Sequence, residues 1–257
     1  MFAARHFSMM LNPASLSVPF TDAITYLAAG ERLNAGHDLY RLVDGDRQVL
    51  VLPWVSNAAL LSPPPIAVIW RPIAALPFGY VAWLAACWTA LLGTVFVLAR
   101  RTGWAGVLIA AGLAPAIGEQ LAAGNLASFF PGMLVLAWRY RGTSSAGLII
   151  GAMASLKLAP IAIGGWLMGT RNWPGVAAAA ATVVLATIVS ILGAGIGSLA
   201  EYLSVAGTAA PSTTSISALT GIPVLSPALL LAGSLIAVLI GRWPAVSFAV
   251  GVIAAVL

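Results

Sequence analysis

A run of uncharged, mostly apolar residues from Phe78 to Ala99, closed by Arg100-Arg101, limits what this chain can become more than any other feature. As a helix it would extend about 33 Å at 1.5 Å per residue, enough to cross a hydrocarbon layer of about 30 Å. Further apolar runs follow, punctuated by Arg139, Arg141, Arg171 and Arg242. A bilayer core leaves backbone polar groups without water, so such runs must satisfy their hydrogen bonds as helices. The expected fold is therefore an all-α, polytopic membrane protein: a helical bundle of about eight crossings or half-crossings with an outer-face juxtamembrane helix. Composition agrees, with 61% hydrophobic and 7% charged residues, where soluble domains carry about a quarter charged.

Charge gives the orientation. Arginines that close apolar runs mark cytoplasmic ends, which places residues 1–62 outside. The net charge of +5 is spread singly between apolar runs, so nucleic acid is excluded as a partner. One cysteine, Cys87, and two histidines, His6 and His37, provide neither a disulfide framework nor a metal set. No metal or other cofactor is expected.

Two regions follow from this pattern: an outer-face loop with a short amphipathic helix over 1–62, and a transmembrane bundle over 63–257. In the first, Tyr26, Leu27 and Leu33 follow Asp22 at helical spacing and Gly36 ends the helix. Ser62-Pro63-Pro64-Pro65 is expected to block regular structure, and Ile66 to Trp70 to form a short interfacial segment before Arg71-Pro72 and Pro77. Between Arg101 and Arg139, two apolar stretches form a hairpin whose apex, from Gly118 to Asn125, reaches the outer face. Between Arg141 and Arg171, two short or re-entrant helices put Lys157 at a second outer apex. Pro174 to Gly195 returns outward, an outer loop runs from Ile196 to Ile222, and the segments Pro223 to Ile240 and Pro244 to Leu257 complete the chain.

This topology gathers Asp22, Glu119, Gln120, Asn125 and Lys157 at one boundary of the bilayer. Ionisable groups at membrane depth are costly and point to function. A phosphate-bearing lipid headgroup suits them: the ammonium neutralises phosphate while a carboxylate takes a proton from an attacking hydroxyl. Each residue also has a plain structural role open to it. Asp22 suits a helix N-cap, Lys157 can snorkel to the interface, Glu119 suits a loop, and Arg71 is either a phosphate contact or an interfacial anchor.

Three motifs carry less. Asp44-Gly45-Asp46 is first a turn signal, and Gly193-Ala194-Gly195-Ile196-Gly197 follows an apolar helix rather than a strand. Gly147, Gly151 and Ser155, four residues apart, form a small-residue face for helix packing.

Several short patterns stand in a distinctive order. Asp22, Tyr26, Gly36 and Tyr40 open it, followed by Pro64-Pro65, Pro72 to Pro77, Gly124-Asn125, and the run Gly147, Gly151, Lys157, Pro160. In this order the chain resembles glycosyltransferase family 87, GT-C membrane enzymes that include polyprenol-phosphate-mannose-dependent alpha-mannosyltransferases. The resemblance implies a hexosyltransferase of the plasma membrane, multi-pass, with its active site on the extracytoplasmic face. It would move a sugar, mannose by family default, from a polyprenyl-phosphate donor to a lipid or glycan acceptor, with inversion. Asp22 would be the catalytic base, and Lys157 and Arg71 would bind the donor phosphate. Tyr26, Tyr40, Glu119, Gln120 and Asn125 would line the substrate space. The family's first transmembrane helix and its extension past residue 257 are not in this sequence, which implies a piece of a longer protein. The residues alone leave two other readings open: a transporter or flippase for a lipid or small solute, and an inactive truncated paralogue. Transporters of that kind favour repeated halves, and no repeat is evident.

Overall fold

The computed structural model describes residues 21–47, 60–208, 220 and 225–256. All regular structure among them is helical. In chain order the α-helices are α1 (Thr21–Ala35), α2 (Pro64–Ala74), α3 (Gly79–Thr102), α4 (Trp104–Gly112), α5 (Ala114–Ala123), α6 (Phe130–Arg139), α7 (Ser144–Leu156), α8 (Gly164–Gly169), α9 (Trp173–Ala194), α10 (Gly197–Thr208), α11 (Leu225–Leu239) and α12 (Pro244–Val256). Short 3-10 turns, Leu126–Phe129 and Ala159–Ile163, lead into α6 and α8.

Helices α3 and α9 are long and apolar enough to cross a membrane, and α4 with α5 makes a third candidate, bent by 62°. On α3 the buried residues are Gly79, Trp83, Cys87 and Leu91, one stripe at four-residue spacing. Bulky side chains off the stripe, such as Phe96 at 64% exposed, face outward. Water would penalise that arrangement and lipid does not.

Close approaches fix the helix directions. Gly147 lies against the Gly175 carbonyl and Gly151 against that of Ala179, so α7 and α9 run parallel. Asn172 Nδ2 donates to the Thr143 carbonyl at 3.0 Å, so the chain is back at its starting level there. The segment Ala159–Gly169 therefore runs the opposite way, and Lys157 occupies the turn. The same reasoning makes α3 parallel to the segment that ends in α6, through Trp83 at the Gly124 carbonyl and Thr94 beside Gly132, and α8 parallel to α11, through Gly165 beside Ser234 and Gly169 beside Ala237. Counting α4 with α5 as one segment, eight alternating traverses result among the described residues, five of them shorter than 18 residues. One end of the bundle collects α1, α2 and the Asn125 and Lys157 turns. The other collects Arg100, Arg101, Arg139, Arg141, Arg171 and Arg242.

Two local expectations change. The prolines after Ser62 start a helix rather than block one: Pro63 stands at the N-cap and Pro64 opens α2, where a missing N–H costs nothing. That helix also continues through Pro72 to Ala74, its Trp70 fully buried. In the expected loop from Ile196, residues Gly197–Thr208 form the helix α10. By contrast, Gly36 ends α1 with φ 78°, Gly45 forms a turn with φ 92°, and Gly195 ends α9 with φ 81°, all as the residue types imply. Cys87 is buried in the core.

Candidate functional site

The site begins with a glycine. Gly124 ends α5 in the left-handed region, φ 62°, and its backbone is pressed between two helices: a Cβ there would stand 2.8 Å from both Ala23 Cβ of α1 and Leu84 Cδ2 of α3. From α3, Trp83 Nε1 donates to the Gly124 carbonyl at 3.0 Å, and Trp88 Nε1 donates to that of Leu121 at 3.2 Å. The turn is thus clamped before it presents Asn125.

Asn125 has no freedom to flip its amide. Its Oδ1 accepts the Ala127 N–H at 2.7 Å, capping the 3-10 turn, so Nδ2 must face the other way, where it donates to Asp22 Oδ2. Asp22 sits in the first turn of α1, where the helix dipole favours a carboxylate. Burial pushes its pKa above the ordinary carboxylate value; the Asn125 hydrogen bond and Lys157 pull it down, and Glu119 pushes it up. Elements far apart in sequence therefore act on one carboxyl group. Glu119 and Lys157 are themselves exposed, and Gln120 is half-buried beside the turn.

Beneath Asp22 lies an aromatic floor. Tyr26 packs at 6.1 Å edge-on to Trp83, and Trp70 and Trp83 lie 5.0 Å apart. Tyr26 and Tyr40 are each only 5% exposed. Tyr40 donates to the Ser62 carbonyl at 2.8 Å and packs on Tyr202. Burial raises the phenol pKa of both. Their place is therefore in the wall that holds α1.

Arg71 is not brought to Asp22. Its Nη1 donates to the Gly193 carbonyl at 2.9 Å, and its Nε donates to Asn34 Oδ1 at 3.2 Å. Asn34 lies at the far end of α1, about 18 Å from Asp22 at 1.5 Å per residue. These contacts fasten α1 and α2 to the end of α9. Asp46 is likewise used locally, accepting the Val43 N–H at 3.0 Å and pairing with His37 at 2.8 Å. Among the described residues no three His, Cys, Asp or Glu side chains gather as a metal would require. The polar run Ser212-Thr213-Thr214-Ser215 of the expected outer loop, and His6, lie outside the described residues.

Sequence reasoning missed the clamp. Trp83 and Cys87 fall on the buried face of α3 with Trp88 beside it, and a pair of indoles five residues apart opposite a Gly-Asn turn was the available signal.

Residues 61–257 match glycosyltransferase family 87. A polyprenol-phosphate-mannose-dependent alpha-(1-2)-phosphatidylinositol pentamannoside mannosyltransferase of Mycolicibacterium smegmatis (strain ATCC 700084 / mc(2)155) is 31% identical over 179 residues. That alignment covers 66% of this chain and 42% of the relative, so the chain spans less than half of the relative's length. No solved structure matches. The family match includes Asn125 and Lys157 but begins after Asp22, whose link to the site is its hydrogen bond to Asn125. Helices of membrane-crossing length, an all-α bundle and the matched segment agree: the chain belongs to glycosyltransferase family 87.

Proposed function

We propose that the chain carries the donor-side active site of an inverting, polyprenyl-phosphate-dependent sugar transfer. The observation that carries this is the Asp22–Asn125 pair, with Lys157 acting electrostatically on the same carboxyl group. Asn125 occupies Oδ2 of Asp22, which leaves Oδ1 to accept the proton of an acceptor hydroxyl. As that proton moves, the hydroxyl oxygen bonds to the anomeric carbon. The bond from that carbon to the phosphate oxygen breaks, and its electron pair leaves with polyprenyl phosphate. Lys157 neutralises the departing phosphate, and attack opposite the leaving group inverts the centre. The transition state has the oxocarbenium character of glycoside cleavage.

The name of the mycobacterial relative supports mannose as the sugar and a lipid-linked acceptor. The positive-inside rule puts the arginine end in the cytoplasm, hence the Asp22 end on the extracytoplasmic face of the plasma membrane. The described part of residues 1–62 then belongs to an outer-face region on the bundle of 63–257.

Transfer is measured in membrane vesicles supplied with polyprenyl-phosphate mannose and a mannolipid acceptor. Asp22→Asn should lower turnover by about 10²–10⁴-fold, the range for loss of a general base, and unchanged turnover removes Asp22 from the chemistry. Sidedness is read separately by labelling a cysteine at position 157 with an impermeant reagent, since native Cys87 is buried. Labelling from the cytoplasm alone would reverse the orientation.

A further inference from the structure

The end of the bundle away from Asp22 carries a second feature. All seven acidic residues of the sequence, at positions 22, 31, 38, 44, 46, 119 and 201, belong to the Asp22 end, in α1 and the loop after it, in α5 and in α10. None lies between 120 and 200 or after 201, so the arginines at the opposite end have no carboxylate of this sequence beside them. Two clefts open there. One, of about 370 Å³, is lined by Arg141, Arg171, Asn172 and Trp166, with Pro174 and Pro244 from the first turns of α9 and α12. The other, of about 530 Å³, is lined by Arg171, Arg242 and Trp173 and shares the Pro244 wall. Arg171 thus stands between them, in the turn that starts α9 and with φ 56°.

The side chains are arranged rather than merely present. Arg141 lies over the Trp138 ring at 5.0 Å, with Nη1 donating to the Trp138 carbonyl at 3.4 Å, and Arg242 lies over Trp243 at 4.1 Å, so both guanidiniums are stacked on indoles while their remaining N–H groups can meet an anion. Trp166, only 1% exposed, backs the first cleft, and its buried Nε1–H has no acceptor among the described residues. The walls therefore offer guanidinium donors, with the positive N-terminal ends of α9 and α12 beside them and, in the second cleft, the C-terminal ends of α8 and α11 opposite. The exposed indoles of Trp173 and Trp243 mark the depth at which lipid headgroups sit.

We propose that this double cleft binds the phosphate of an anionic phospholipid from the leaflet at the arginine end. The chemistry is phosphate recognition by guanidiniums. Position at headgroup depth, between helices whose outer faces are apolar, favours a lipid phosphate over a free one. The proposal does not depend on the transfer reaction at the other end.

The test uses the purified chain in neutral detergent, with its thermal unfolding midpoint followed as short-chain phosphatidylglycerol is added. Short-chain phosphatidylcholine and inorganic phosphate serve as comparison probes. Phosphatidylglycerol should raise the midpoint and the other two should not. Arg141→Gln/Arg171→Asn should need roughly 25-fold more phosphatidylglycerol for the same rise, at roughly fivefold per surface charge. Asparagine is chosen at 171 because it tolerates the left-handed backbone. Arg100→Gln/Arg101→Gln, which removes two charges from the same end but outside the clefts, should respond as wild type. Should the first pair fail to fold, Arg242→Gln alone should show a roughly fivefold loss. Equal losses in the two pairs, or equal effects of the two lipids, would overturn the site in favour of diffuse attraction. A matching rise with inorganic phosphate would overturn the lipid assignment.

Discussion

Asn125→Asp separates orientation from mere presence at the proposed site. Aspartate caps as well as asparagine, so the Ala127 N–H, held at 2.7 Å by Oδ1, keeps its acceptor and the 3-10 turn keeps its start. Only the group facing Asp22 changes, from an amide donor to a second carboxylate. A hydrogen bond to a charged group is worth about 1.5–3 kcal/mol, so its loss lowers the ionised fraction of Asp22 about 10- to 150-fold below the titration midpoint. On the proposed mechanism Asp22 acts as a base only when ionised, so transfer should rise with pH through its folded-state pKa. Raising that pKa moves the acid limb of the rate profile to higher pH. Asn125→Asp should therefore be slow at neutral pH and recover as pH rises, the two carboxylates titrating as a coupled pair. Lys157→Met should move the limb in the same direction, because the ammonium lowers the Asp22 pKa, and Glu119→Gln should move it to lower pH. Initial rates of sugar transfer against pH, measured in membrane vesicles, read all three. An Asn125→Asp limb that stays in place or moves to lower pH would refute the reasoning, as would a shared direction for the Lys157 and Glu119 variants.

Three further outcomes test the scaffold. Gly124→Ala adds a methyl that meets Ala23 and Leu84 at 2.8 Å in a backbone region that disfavours it; transfer should fall at least tenfold while the folded fraction, read by size-exclusion chromatography, stays largely intact. Gly147→Leu drives a side chain into the Gly175 carbonyl and should cost about 1–3 kcal/mol or more as overpacking, measured by denaturant titration of the solubilised protein. Glu31→Gln breaks the 2.7 Å ion pair with Arg47, whose side chain is about half exposed, and stability should change by less than about 1 kcal/mol.

Much of the architecture was legible because it depends on few residues. Single arginines and run lengths gave the traverses, including the reversal at Lys157 that Asn172 and Thr143 now fix. Gly36 and Gly195 marked helix ends because positive φ leaves few alternatives. The prolines misled because their effect is positional: the same residue that breaks a helix interior opens a helix at its first turn, and only the surrounding fold says where the first turn is. Arg71 could not be resolved for a related reason. A lone arginine has the same appearance in sequence whether it faces a phosphate or, as here, the Gly193 carbonyl. Its partner lies 122 residues away, beyond any local pattern.

The site itself was half legible, and the division has a physical meaning. Asn125 and Lys157 stand at turns of the matched bundle, where topology alone delivers them to one end. Asp22 precedes the matched segment and has no membrane span of its own among the described residues. What delivers it is packing. Gly30 lets α1 approach α2 so closely that a Cβ would stand 2.6 Å from the Trp70 carbonyl, and Asn34 Nδ2 donates to the Arg71 carbonyl at 2.9 Å. With its far end fastened in this way, a 15-residue helix points its first turn at the Gly124-Asn125 turn. The chemistry assigned to Asp22 therefore depends on contacts at the opposite end of α1, and weakening those should reduce transfer without touching any group near the substrate.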